Sequence, residues 1–195
     1  MLSSNIETEN TNIDIDISIS INQSIRVNVN KETGYYTNVR QINKLTWLSV
    51  PLIRFDISGE FNHPIILPDS LRYMIISGEF NSPIILSNNI CYLEINGIFN
   101  QPIILPDSLL SLYINEEFNQ PIILPYSLRW LRISGNFNQS IILPDSLTWL
   151  EISGEFNLSI ILPNSIKRLY ISGEYNQPLI LPDSLERFQI SGEFI

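Results

Sequence analysis

The chain has 195 residues and a net charge of −9, with 44% hydrophobic residues, 16% charged residues and no alanine. That length suits one domain with a sizeable core, the acidic balance turns it away from nucleic acid and anionic membrane surfaces, and the lack of the strongest helix former favours β-structure. The single cysteine, Cys91, excludes an internal disulfide framework and fits a reducing compartment.

Residues 1–12, MLSSNIETENTN, carry neither a basic nor an apolar leader region. They read as a disordered tail, and the chain is expected to be cytoplasmic and not secreted. No run of 18 apolar residues occurs, so no membrane span is expected. Residues 13–50 read as an irregular, strand-rich amino-terminal cap. Ile15 and Ile17 take alternating strand positions there, and INQSIRV from Ile21 echoes FNQSIIL from Phe137. Ile42 to Glu60 reads as a degenerate first coil. Residues 51–195 read as a solenoid.

Its period is 19 residues, without one insertion: Phe61, Phe80, Phe99, Phe118, Phe137, Phe156, Tyr175 and Phe194 all obey it. A fixed short period means stacked equivalent units. Before each anchor stands L-x-x-L-x-I, as in Leu128, Leu131 and Ile133. Its L-x-I part has the period-2 alternation of a strand buried on one face. After each anchor come Asn and an apolar run such as Ile103-Ile104-Leu105, here fenced by Pro102 and Pro106. Proline accepts extended geometry but donates no ladder bond, so this run is a short extended segment. Pro-Asp-Ser then predicts one tight corner, and Ser-Gly, as at Ser134-Gly135, the other. The fold class expected is all-β: a right-handed, leucine-rich-repeat-like β-solenoid of 19-residue coils, with little or no α-helix. Both sides of each coil are extended, so the body is expected to be a nearly straight rod.

Stacking converts sequence positions into columns. The asparagines after the anchors, such as Asn100 and Asn119, are expected to form a buried ladder between backbones. Two outward strand columns vary from coil to coil and concentrate Trp, Tyr and Arg, the side chains enriched at binding hot spots. Tyr73, Tyr92, Tyr113, Trp130, Arg132, Trp149, Arg168 and Tyr170 are therefore the candidate partner-binding residues. The same aromatics could instead serve the sheet through cross-strand pairs. Glu60, Glu79, Glu117, Glu155, Glu174 and Glu193 form an acidic column read as solvated, and Asp69, Asp107, Asp145 and Asp183 read as turn caps. No catalytic residue, metal site or cofactor is assigned: His63 stands where other coils have Gln, and Cys91 has no histidine partner in the repeat frame.

The phrases FNHPI, FNSPI and FNQPI resemble the FNIP repeat family, leucine-rich-repeat relatives of social amoebae and giant DNA viruses. The resemblance covers residues 42 to 195. Departures are Ser140 and Ser159 for proline, Tyr175 for phenylalanine, and SNNI at Ser87 for PDSL. It implies a non-catalytic protein-interaction scaffold whose partner is a protein, a host protein in the host cytoplasm if the chain is viral. Some members join these repeats to an F-box and look like substrate adaptors for ubiquitin ligases; no F-box is evident in residues 1–50. The alternative is a structural protein that self-assembles, for instance as a homodimer, by pairing the edge strand Leu185 to Ile190.

Overall fold

The computed structural model describes residues 14–19, 25–30, 38–39, 53–57 and 67–191. Expectations that rest on the tail, on most of the cap, or on Glu60, Phe61, His63, Glu193 and Phe194 lie outside these residues.

Strands β1 (Asp14–Ile19) and β2 (Ile25–Asn30) pair antiparallel. The two-residue strand β3 (Asn38–Val39) opens a second sheet by pairing parallel with β4 (Arg54–Ile57). Seven further four-residue strands follow: β5 (Tyr73–Ile76), β6 (Tyr92–Ile95), β7 (Ser111–Ile114), β8 (Trp130–Ile133), β9 (Trp149–Ile152), β10 (Arg168–Ile171) and β11 (Arg187–Ile190). They lie in sequence order, each parallel to the next, in a nine-stranded sheet. From β4 to β11 the register advances by 19 residues at every step, so Leu112 pairs with Leu131 and Leu131 with Leu150; the step from β3 to β4 is 18. No helix occurs among the described residues. The chain is thus an all-β solenoid of 19-residue coils.

The four-residue strand length follows from the sequence. In β8, Leu131 and Ile133 are fully buried while Trp130 and Arg132 face out. The strand then ends at Ser-Gly, and Gly135 takes φ +70°, a region open to glycine and costly to most other residues. The chain reverses there, and the anchor ring drops into the core. Phe80, Phe99, Phe118, Phe137, Phe156 and Tyr175 form one internal column with centroids 5.8–6.2 Å apart and planes within 11° of parallel. That spacing lies in the favourable range for offset rings.

Beyond the ring lies the outer run. In Ile122-Ile123-Leu124 the flanking residues point inward, at 9% and 8% exposure, and the middle one points out, at 90%. The coil from Leu109 to Leu124 thus buries six apolar side chains: Leu109, Leu112, Ile114, Phe118, Ile122 and Leu124. The outer runs 103–105, 122–124 and 141–143 are not strands, and no backbone hydrogen bond joins them. A proline beside such a run therefore forfeits no ladder bond. Side chains connect the coils at this level instead. Asn100 Oδ1 accepts from the backbone N–H of Asn119 at 2.9 Å and from Gln120 Nε2 at 3.1 Å, and Asn119 repeats this toward Asn138 and Gln139. The asparagine ladder is present, but its members are half-buried or exposed rather than buried.

The second corner differs from expectation. Leu109 N–H bonds back to Pro106 O at 3.0 Å and closes the turn. The serine, not the aspartate, does the bridging: Ser108, Ser127, Ser146 and Ser165 each donate to a carbonyl of the preceding coil at 2.6–2.7 Å. Asp107 and Asp145 stand exposed at the turn. The reason is reach. In a stacked coil the serine hydroxyl sits within bonding distance of an unpaired carbonyl one coil away, and that bond satisfies a group which a local cap would leave open.

Candidate partner-binding face

The in-register ladder assembles two outward columns on the sheet. One reads Arg54, Tyr73, Tyr92, Ser111, Trp130, Trp149, Arg168 and Arg187 along the stack. The other reads Asp56, Ile75, Glu94, Tyr113, Arg132, Glu151, Tyr170 and Gln189. Every candidate from the sequence stands on this one face. Within the first column Ser111 separates Tyr92 from Trp130, while Tyr113 on the same strand pairs with Arg132 in the second, so the face is continuous and carries two aromatic groups.

The first group is Tyr73, Tyr92 and Tyr113. Tyr92 lies 6.1 Å from Tyr73 and 5.2 Å from Tyr113, centroid to centroid, with planes tilted by 39° and 33°. Its hydroxyl donates to Glu94 Oε2 at 2.8 Å, and Asn96 Nδ2 donates to Glu94 Oε1 at 3.0 Å. Burial, and next this bond to a carboxylate, hold the Tyr92 phenol neutral with its pKa pushed well above 10. On β4, two strands from β6, Arg54 Nε donates to Asp56 at 3.1 Å, yet burial outweighs the guanidinium and raises the Asp56 pKa.

The second group is Trp130, Arg132, Trp149, Arg168 and Tyr170. Trp149 and Tyr170 are 5.9 Å apart, tilted by 48°. Arg187 stacks over the Tyr170 ring at 5.9 Å, a cation–π distance. Arg132 Nε meets Glu151 Oε1 at 3.3 Å. Trp130 is 41% exposed, and Arg132 and Arg168 are exposed as well. The two groups thus differ in chemistry: three tyrosines whose central member is bonded to a carboxylate in one, tryptophans among arginines in the other.

The Phe column, the glycine corner and the Asn ladder all recur at one interval, and together they make a repeat signature. The FNIP Repeat family matches at residues 99–136, 118–155 and 156–192.

Residues 99 to 192 of the chain are FNIP repeats.

An experimentally solved protein described as CroV588, a novel circular LRR protein structure, is similar to this FNIP-repeat chain with a TM-score of 0.67 and 32% identity. The likeness covers 81% of this chain and 27% of that one, so this chain spans about a quarter of that protein's length. No curated protein matches. No helix among the described residues is long and apolar enough to cross a membrane.

Within the FNIP-repeat frame, one set of exposed residues escapes a reading of the sequence alone. Ile85, Ile104, Ile123, Ile142, Ile161 and Ile180 are 86–91% exposed. The P-I-I-L phrase is apolar throughout, and only the period-2 alternation of an extended run would have marked its second isoleucine as outward. Glu79, Glu117, Glu155 and Glu174 stand exposed, and no group of three metal-ligating side chains occurs among the described residues.

Proposed function

We propose that this FNIP-repeat chain is a non-catalytic scaffold that binds a protein through the outward face of its sheet. The observation that carries the reading is the second aromatic group. Trp130 stands out from the sheet beside Arg132, and Trp149, Tyr170 and Arg168 lie on the next two strands of one rigid ladder. A fixed backbone lowers the cost of ordering such side chains on binding, and Trp and Arg are the types that carry binding energy. Tyr92, the centre of the tyrosine group, is already committed to Glu94, so the tryptophan group is the anchor and the tyrosines its flank. A protein is the partner because the surface is aromatic and mixed in charge, in a chain of net charge −9. A polyanion would want a basic stripe.

The test is affinity capture with the full chain against a Trp130→Ser/Trp149→Ser variant whose circular dichroism matches the parent. The expected result is one protein retained by the parent and lost by the variant. Equal retention by both would move recognition off the sheet face and overturn the reading.

A further inference from the structure

Opposite the sheet, the outer runs expose a row of isoleucines, one per coil: Ile85, Ile104, Ile123, Ile142, Ile161 and Ile180. Pro83, Pro102, Pro121 and Pro178 are exposed alongside. At 86–91% exposure the six isoleucines present on the order of 800 Å² of apolar surface, above the roughly 300–600 Å² of the largest patch on an ordinary monomer. It also matches the ~800 Å² that each partner gives to a standard interface. None of these side chains serves the core, whose inward positions are filled by the flanking residues. Their recurrence is not needed to keep the run extended, because Pro-fenced polar residues would do that equally well.

We propose that this isoleucine row is the contact surface between two copies of the chain, set back to back with their stacks parallel. The occupant follows from periodicity. A row of stiff β-branched knobs at the pitch of one coil is matched along its length only by a surface of the same pitch, and a second copy has that pitch by construction. The orientation follows from charge. At three of the six coils an exposed acid stands three residues after the isoleucine (Asp107, Asp145, Asp183) and a glutamine three residues before it (Gln101, Gln139, Gln177), while the alternate coils carry the uncharged Asn88, Tyr126 and Asn164 at the acid's position. A two-fold axis across the stack would set the two acidic rims on each other. A two-fold axis along the stack sets each acidic rim against the partner's glutamine rim, whose amides are donors. In that arrangement every isoleucine meets the same isoleucine of the other copy.

The experiment is sedimentation equilibrium of the full chain and of Ile123→Glu/Ile142→Glu. Both positions are solvent-facing, so the variant folds, and unchanged circular dichroism verifies it. At about 50 μM, within the range reached by interfaces of standard size, the parent is expected at twice its 22.4 kDa mass and the variant at the monomer mass. Trp130→Ser/Trp149→Ser and Phe188→Asp are both expected to remain dimeric, which separates this surface from the sheet face and from the edge strand. In a Cys91→Ser background, Ile104→Cys, Ile123→Cys and Ile142→Cys are each expected to form dimers with a short thiol cross-linker. A monomeric parent, or a dimer indifferent to the two glutamates, overturns the proposal. Cross-linking at no more than one of the three positions overturns the parallel arrangement. A monomeric parent that binds phosphatidylcholine vesicles through these isoleucines would assign the row to a lipid surface instead.

Discussion

Tyr175 occupies the ring column after five phenylalanines, and it is 1% exposed. Its hydroxyl is buried with no hydrogen-bond partner among the described residues, and burial pushes its pKa up. A buried donor left unmade costs about 1–3 kcal/mol, so Tyr175→Phe is expected to raise stability by about 1 kcal/mol. Thermal unfolding would register this as a rise of roughly 2–4 °C for a chain of this size. The glycine corner offers a second comparison. A Cβ on Gly154 would lie 2.4 Å from Gly135 O and 2.6 Å from Gly135 N, backbone atoms that cannot step aside, and φ there is +74°. Gly154→Ala is therefore expected to cost more than about 2 kcal/mol, the strain of the positive φ plus the overlap. One coil breaks the rule. Glu116 sits in the glycine column with φ 56°, and the hydrogen bond from Glu117 N to Gly97 O stretches to 3.3 Å, against 2.9 Å for Glu155 N to Gly135 O. The Glu116 carboxylate recovers part of the strain by accepting from Gly97 N–H at 2.6 Å. That bond is exposed and so weak in net terms. Glu116→Gly is expected to stabilise by about 0.5–1 kcal/mol in urea unfolding, because left-handed geometry costs a non-glycine residue roughly 1–2 kcal/mol.

At the scale of one element, strand and outer run hold to their neighbours by different means. The strand uses a backbone ladder, and the outer run uses asparagine. Asn119→Ala would orphan the Asn138 N–H and the Gln139 amide, both held at 2.9–3.0 Å. The expected cost is about 1–2 kcal/mol, moderated by partial access to water. Hydrogen exchange at Asn138 would rise with it. Strand β6 carries its own pH signature. The Tyr92 pKa is raised in the fold, by burial and by Glu94, so its contribution is complete below the ordinary phenol value near 10. It disappears as pH climbs from there through the folded value. Unfolding free energy is expected to hold level from pH 7 to 9 and to fall above 10, and Tyr92→Phe to flatten part of that fall. The coil itself was legible in the sequence, because a 19-residue interval, a period-2 strand and a Gly corner are each local signals. The aromatic columns were legible for the same reason, since an in-register ladder makes position i meet i+19. Three features were not legible. The serine bridges at Ser108 and Ser127 depend on a carbonyl one coil away, the Ser111 gap depends on what stands beside it in the stack, and the outward isoleucines hide inside a uniformly apolar phrase. All three are properties of neighbours in space, which no single coil spells out.

For the whole molecule the question is how far coils unfold together. A coil that buries six apolar side chains cannot meet the ordering cost of 19 residues alone, so stability resides in the contacts between coils. Those contacts run through two parallel lines, the backbone ladder on one side and the ring column in the core. Phe118 lies within the column, 6.1 Å from Phe99 and 6.1 Å from Phe137. Phe118→Ala removes both stacks and leaves a cavity where no backbone can collapse without breaking register, which places its cost at about 3–5 kcal/mol. In a one-dimensional stack that cost falls on two adjacent interfaces at once, and these interfaces are what couples the coils on either side. The expected outcome in urea is a lower midpoint together with a smaller m-value than the parent, because the two flanks then unfold as partly separate units. The strand probes Trp130 and Trp149, which sit on one side of the lesion, would report a transition distinct from the one followed by far-ultraviolet dichroism. A lower midpoint with an unchanged m-value would assign the coupling to the ladder, with the rings serving only to fill the core.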